Sequence, residues 1–211
     1  MAEQLITIPC GTIDLEALAD LTPSSKAAVI THPHPLYGGT MHNNVVEALV
    51  GAYQQRGFRT LRFNFRGVGR SGGEHGDGDA EQQDVAAALS FVKQDGVEQI
   101  DLAGYSFGAW VNARGLAGFT PVDRVVMVAP PVKLLDFSPL KADPRLRLVV
   151  VGSHDDFAPV RQLERRLPGW NPEAELRIID GADHFFWDRK DELVRLLARF
   201  LEPGGSSGGR G

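Results

Sequence analysis

Short apolar runs alternate with amphipathic segments along most of this chain. Runs that are almost wholly apolar are typical of strands in a parallel sheet covered on both faces. The predicted strands are 5–8, 12–18, 27–31, 59–65, 99–103, 124–129, 146–151 and 175–179. Apolar residues at helical spacing predict helices over 43–55, 80–94, 107–115, 160–167 and 188–201. This alternation predicts an α/β fold: a doubly wound, mostly parallel sheet in three layers.

The length of the chain suits a single domain. Its 211 residues are 43% hydrophobic, which is enough to bury a sizeable core. We assign residues 1–202 to this domain. Residues 203–211, PGGSSGGRG, have the composition of a flexible Gly/Ser tail.

Charge and cysteine content narrow the classes of partner. A formal net charge of −5 gives no reason to expect binding to nucleic acid or to an anionic membrane. Cys10 is the single cysteine, so a disulfide within the chain is excluded. The start of the sequence lacks a basic region followed by a long apolar run, and no apolar stretch approaches about 20 residues. We therefore expect a cytoplasmic protein without a membrane partner.

The most informative stretch is the pentapeptide 104–108, GYSFG, between a predicted strand and a predicted helix. A G-x-S-x-G sequence in this context indicates a nucleophile elbow, in which the chain turns sharply at an exposed serine. The turn leaves no room for side chains two residues before and after that serine. Ser106 is therefore the candidate nucleophile, and the competing interpretation is an ordinary serine in a strand–helix turn.

A serine hydroxyl needs a base, and the base needs an orienting acid. In α/β sheets such groups lie in loops at the carboxyl ends of the strands. Asp155 and Asp156 follow the strand 146–151, and His184 follows the strand 175–179. Adjacent residues in an extended segment point in opposite directions, so one of the two aspartates can face the histidine.

These residues occur in the chain order Ser, Asp, His, and at this point the chain resembles the α/β-hydrolase superfamily. The segment 62–71, RFNFRGVGRS, is similar to the loop before the second helix in that superfamily. The segment 32–40, HPHPLYGGT, resembles a compact bacterial subgroup related in layout to dienelactone hydrolases. The resemblance implies Asp155, in a G-x-x-D-x-x-x-P arrangement, as the triad acid. Dienelactone hydrolases carry cysteine at the elbow, so Ser106 favours ordinary ester chemistry over lactones.

An acyl-transfer intermediate needs two N–H donors for its oxyanion. We expect one from the backbone of Phe107, at the start of the elbow helix. The other should come from the loop after strand 27–31, where Pro33 and Pro35 have no N–H. Among the remaining residues of that loop, the resemblance favours the amide of Leu36.

No cofactor or metal is expected. His32-x-His34 has no third ligand at suitable spacing for a metal. Both histidines lie beside the predicted site in sequence, and we expect a structural role in the loop, with contact to substrate as the alternative. The loop 74–79, EHGDGD, lacks calcium-loop spacing and is better explained by capping of the helix that follows Asp79. Some aromatic residues near the site in sequence should line an apolar acyl pocket. The candidates are Trp110, Phe137, Phe157, Phe185, Phe186 and Trp187.

The sequence therefore predicts a serine hydrolase of short-chain carboxylic esters, with a small-molecule ester as its partner. The connection 130–145 is too short for a cap domain. A thioesterase or peptidase would use the same residues, and a non-catalytic binding protein would share the fold. A nucleotide-binding protein is disfavoured, because the glycines at 67, 69 and 72 lie too far from the next helix. The oligomeric state is left open, with a homodimer allowed.

Overall fold

The computed structural model of the protein describes residues 3–93 and 96–202. Within these ranges, eight strands and five α-helices follow one another. The strands are β1 Gln4–Cys10, β2 Ile13–Ala19, β3 Lys26–Thr31, β4 Arg59–Phe63, β5 Gln99–Tyr105, β6 Arg124–Val128, β7 Leu146–Gly152 and β8 Glu175–Ile179. The helices are α1 Asn44–Gln55, α2 Glu81–Val92, α3 Phe107–Gly115, α4 Val160–Trp170 and α5 Lys190–Phe200. The predicted tail 203–211 lies outside the described residues.

The strands form one eight-stranded sheet in the order β1-β2-β4-β3-β5-β6-β7-β8. β1 pairs with β2, and β2 with β4, in antiparallel fashion. All pairings from β4 to β8 are parallel. The prediction of a mostly parallel, doubly wound sheet is confirmed. The carboxyl ends of β3, β5, β7 and β8 therefore open onto one edge of the sheet.

Helices cover both faces of the sheet. In β3, Ala27 and Val29 point into one core and Ala28 and Ile30 into the other, as the two-residue period of a strand requires. Helices α2, α3 and α4 pack on the first face. Helices α1 and α5 pack on the second. Because both faces are covered, the central strands are apolar throughout, which explains why they were readable in the sequence.

Several predicted boundaries differ from those of the structure by one to three residues, and two of them have a clear physical reason. The strand expected over 59–65 ends at Phe63, because the Phe65 amide donates to the ring of His32 rather than to a neighbouring strand. The helix expected to stop at residue 167 continues through Pro168 to Trp170. There the Asn171 amide reaches the carbonyl of Leu167 at 2.9 Å, so the last turn closes around the proline.

The expected cap of α2 is also wrong. Ala80 occupies the cap position and makes no side-chain hydrogen bond to the helix. Asp79 instead pairs with Arg114 of α3. The buried carboxylate of Glu81, in the first turn, accepts from the amides of Gly76 and Gly78, each at 2.8 Å. A side chain inside the helix therefore holds the preceding loop in place.

The connection from β6 to β7 carries no cap domain. Residues 129–145 are described throughout, and they form turns without a helix or strand. The carboxyl edge of the sheet is therefore uncovered by any inserted domain. Of the helices in the described ranges, none has the length and apolar character needed to cross a membrane.

Candidate active site

Ser106 stands at a sharp turn between β5 and α3. Its backbone has φ 53° and ψ −116°, a conformation that costs a residue with a side chain about 1–3 kcal/mol. A Cβ at Gly104 would lie 2.5 Å from Asn112 Nδ2, and a Cβ at Gly108 would lie 2.5 Å from Thr31 Oγ1. Both glycines are therefore required by close approach of neighbouring groups. This confirms the expectation that the turn has no room for side chains on either side.

The structure brings Ser106, His184 and Asp155 into one hydrogen-bonded chain. Ser106 Oγ lies 2.9 Å from His184 Nε2, and His184 Nδ1 lies 2.8 Å from Asp155 Oδ2. All three side chains are buried. Because a carboxylate can only accept, Nδ1 carries the ring proton and Nε2 is free to accept from the serine hydroxyl. This is the geometry in which a histidine removes a proton from a serine.

The two neighbouring aspartates differ in burial. Asp155 is buried, and its Oδ1 accepts from the amides of Phe157 and Ala158 at 2.9 and 2.8 Å. Its other oxygen is thereby directed at His184. Asp156 is exposed. The structure places beside His184 the aspartate that the resemblance implied.

Tyr105 contacts the loop that carries His184, and the sequence did not predict this contact. Its hydroxyl donates to the carbonyl of His184 at 3.0 Å. Burial raises the pKa of the Tyr105 phenol, so the hydroxyl keeps its proton as a donor. The residue sits in the elbow pentapeptide, next to the serine, and its position was the one available signal.

The backbone amides of the elbow and of the loop after β3 differ in whether they already have an acceptor. Phe107 is the first residue of α3, so its N–H has no acceptor within the helix. The amide of Leu36 already donates to His34 Nδ1 at 3.2 Å. Those of Tyr37 and Gly39 both donate to the carbonyl of His34.

In the same loop the amide of Gly38 donates to the carbonyl of Pro35. Among the residues 34–39 that have a backbone N–H, His34 differs from the others. Within the described ranges its N–H donates to no protein acceptor. The ring of His34 lies 4.7 Å from that of Phe107, which brings this loop against the start of α3.

The two loop histidines have structural contacts. The ring of His32 is fully buried, accepts from the Phe65 amide at Nε2 and faces the Pro33 carbonyl at Nδ1. Burial lowers the pKa of His32 to about 4, so the ring is neutral. Burial, and then the neighbouring His75, lower the pKa of His34. In the part of the chain that the structure describes, no three His, Cys, Asp or Glu side chains are arranged to hold a metal ion.

The aromatic residues expected near the site divide into two groups. Trp110, Phe137 and Phe186 are buried and belong to the core. Phe157 and Phe185 are exposed and contact the ring of His184, with centroids 4.8 and 5.5 Å from it. The exposed ring of Trp187 stacks on Phe185. The second group thus lies at the surface beside His184 rather than in the core.

Comparison with known proteins identifies relatives over nearly the whole chain. The sequence model of the alpha/beta hydrolase family matches residues 29–148. An alpha-beta serine hydrolase homologue from Coxiella burnetii is 36% identical, covers 96% of this chain and 99% of its own, and superposes with a TM-score of 0.84. A serine hydrolase without lid from Xanthomonas campestris is 31% identical over 93% of this chain and 92% of its own, with a TM-score of 0.83. An uncharacterized protein from Rickettsia prowazekii is 32% identical in an alignment of 203 residues that covers 92% of this chain and 85% of that protein.

Proposed function

This chain belongs to the alpha/beta hydrolase family, and we propose that it is a serine hydrolase that cleaves short-chain carboxylic esters through an acyl-enzyme intermediate. The observation that carries the proposal is the hydrogen-bonded chain from Ser106 through His184 to Asp155, with distances of 2.9 and 2.8 Å. The similarity to serine hydrolases at 31–36% identity supports it.

In the first half-reaction Ser106 Oγ attacks the carbonyl carbon of the ester. Its proton passes to His184 Nε2, and the imidazolium that forms is stabilised by the carboxylate of Asp155. The tetrahedral intermediate then collapses and breaks the bond to the alcohol oxygen. His184 returns the proton to that oxygen, so the alcohol leaves neutral and the acyl group remains on Ser106.

The negative oxygen of the intermediate requires two donors, and losing one costs about 3 kcal/mol. We assign the amide of Phe107 as the first, because the helix start leaves it without an acceptor. For the second, Leu36 was expected, but its amide is occupied by His34 Nδ1. The unoccupied amide of His34 is the better candidate, and Leu36 serves only if it exchanges its present acceptor. The choice between His34 and Leu36 is tested by replacing one backbone amide at a time with an ester. An α-hydroxy acid at position 34 or at position 36 removes the N–H of that residue alone.

In the second half-reaction a water replaces the alcohol. His184 removes its proton, the resulting hydroxide attacks the acyl carbon, and the proton is delivered to Ser106 Oγ as the acid leaves. Each step uses the same three side chains in reverse roles, and no cofactor is required.

The decisive experiment is labelling with a fluorophosphonate, which reacts with an activated serine, alongside hydrolysis of p-nitrophenyl acetate and of the matching thioester. Ser106→Ala should abolish labelling and turnover, because no other group forms the covalent bond. Ser90→Ala, at an exposed serine in α2, is the matched control and should label normally. Labelling that persists in Ser106→Ala would refute the proposal. Circular dichroism checks that each variant is folded.

A further inference from the structure

Four Phe, Tyr and Trp residues in the described part of the chain are exposed over more than a third of their surface: Tyr37, Phe157, Phe185 and Trp187. Three of these lie in the loops that carry Asp155 and His184. We call Phe157, Phe185 and Trp187 the aromatic corner. Exposed apolar side chains gathered at one place mark a surface that binds something.

Two rings of the aromatic corner stand at right angles to the ring of His184, and the third stacks on one of them. Phe157 and Phe185 each stand at 89° to the ring of His184, and their centroids are 6.5 Å apart at an interplanar angle of 87°. Trp187 stacks on Phe185 at 6.4 Å and 27°. The exposed fractions of Phe157, Phe185 and Trp187 are 37%, 45% and 69%. The corner therefore offers both ring edges and ring faces, the two surfaces against which another aromatic ring packs.

Hydrogen bonds fix the backbone of the corner on both sides. The amide of Phe157 donates to Asp155 Oδ1, and its carbonyl accepts from the amide of Lys133 at 3.1 Å.

The amide of Phe185 donates to Asp183 Oδ1 at 2.9 Å, and its carbonyl accepts from Asn44 Nδ2 at 3.0 Å. These rings are therefore exposed on an ordered backbone, so the surface does not have to form when a ligand binds.

The chemistry decides which part of a substrate meets this surface. His184 Nε2 must deliver a proton to the oxygen of the departing alcohol, so that oxygen lies at the imidazole. The substituent on that oxygen extends along the exposed rings that flank the imidazole, which are those of Phe157 and Phe185, whereas the third neighbouring ring, that of Tyr105, is buried. The oxyanion lies at the amide of Phe107, the donor that the proposed function assigns to it.

We propose that the aromatic corner binds an aromatic ring in the alcohol part of the ester, so that the preferred substrates are short acyl esters of arylmethyl alcohols. This rests on the proposed function, since it takes the serine hydrolase reaction as given. Edge and face contacts favour an aromatic ring over a saturated ring of similar size by about two- to tenfold.

The test compares benzyl acetate with cyclohexylmethyl acetate. Both yield the same acetyl-enzyme, so their ratio of kcat/KM reports on the alcohol part alone. We expect a ratio of about two to ten in favour of benzyl acetate. Phe185→Leu and Trp187→Leu should bring the ratio close to one. Tyr37→Leu is the matched control: it removes the exposed aromatic ring beside His34, outside the corner, and should keep the wild-type ratio.

Each outcome separates this inference from the proposed function. A wild-type ratio near one, or a ratio that survives both leucine substitutions in the corner, overturns the inference while fluorophosphonate labelling of Ser106 still stands. Loss of the preference in Tyr37→Leu alone also overturns it, because the ring would then bind at Tyr37, outside the corner. A protein that neither labels nor hydrolyses any acetate, ethyl acetate included, overturns both.

Discussion

The hydroxyl of Tyr105 donates to the carbonyl of His184 at 3.0 Å and joins the elbow to a residue 79 positions later in the chain. The bond is buried, and the ring of Tyr105 lies 5.6 Å from that of His184. The residue beside Ser106 thus anchors the loop that carries His184. We infer that this contact helps to set the distance between Ser106 and His184.

Tyr105→Phe should therefore lower kcat about two- to tenfold, which corresponds to one hydrogen bond of about 0.5–1.5 kcal/mol. KM for a small ester should change little, because the hydroxyl contacts the backbone carbonyl of His184 and not the substrate. Tyr53→Phe is the matched control, since it removes a buried hydroxyl near Asp101, at the start of β5 and away from the elbow. An equal loss of kcat in both variants would contradict a positioning role.

Asp155→Asn should lower kcat by roughly 10⁴, as loss of the orienting acid does in other triads. An asparagine oxygen can still accept from the amides of Phe157 and Ala158, so the fold should be kept. Asp156→Asn, at an exposed position one residue on, should leave kcat near the wild-type value. Steady-state kinetics measure kcat of both variants, and circular dichroism checks that both are folded. A large loss of kcat in Asp156→Asn, with Asp155→Asn near the wild-type value, would reverse the assignment.

Gly108→Ala should lower both stability and activity. The added Cβ would lie 2.5 Å from Thr31 Oγ1 and 2.7 Å from the carbonyl oxygen of His32, so β3 or α3 has to shift. Overpacking of this kind typically costs about 1–3 kcal/mol. Gly118→Ala is the control, because nothing lies within 4 Å of its Cβ position. Urea unfolding should separate the two, and equal midpoints would contradict the close approach at the elbow.

The free energy of unfolding should fall on acidification because of His32. Burial lowers its folded-state pKa to about 4, below the unfolded value of 6.5. The unfolded chain therefore binds the proton first. The contribution of His32 is complete above pH 6.5 and is lost as the pH falls toward 4, at up to about 1.4 kcal/mol per pH unit.

Urea unfolding between pH 7 and 4.5 measures this loss. The imidazole NMR signals of His32 provide an independent check, since they should remain those of a neutral ring down to pH 5. A titration centred near 6.5 would show that the ring is not buried as described.

Hydrolysis of p-nitrophenyl esters should stop improving after a few acyl carbons. Each additional methylene gains about 0.8 kcal/mol only while it finds apolar surface to contact. The connection 129–145 contains turns alone, so no inserted domain provides a wall for a long chain. A series from acetyl to dodecanoyl esters measures the trend. Rates that keep rising to dodecanoyl, or activation at a lipid interface, would contradict it.

Local sequence determined the elements of the fold. Strands covered on both faces must be apolar at nearly every position, as in Leu146–Gly152, and such runs are visible without any knowledge of their neighbours. The elbow was equally local, because the glycines at 104 and 108 are required by a turn within five residues. Boundaries failed where a distant group competed for the backbone, as at Phe65, whose amide bonds to His32 instead of a strand.

Only the tertiary structure decided how the distant parts of the site meet. The sequence offered two adjacent aspartates, and the burial of Asp155 against the histidine loop distinguishes them. The bond from Tyr105 to His184 joins atoms 79 residues apart in the sequence, whose proximity depends on how the loops pack.

The burial of the aromatic residues near the site was also decided by the tertiary structure. Phe186 is buried in the core while Phe185, its neighbour, is exposed beside the base. Sequence periodicity distinguishes buried from exposed positions along regular elements, whereas loop residues follow no such period. Their exposure, and with it the candidate surface for substrate, is set by the three-dimensional arrangement of the loops at the sheet edge.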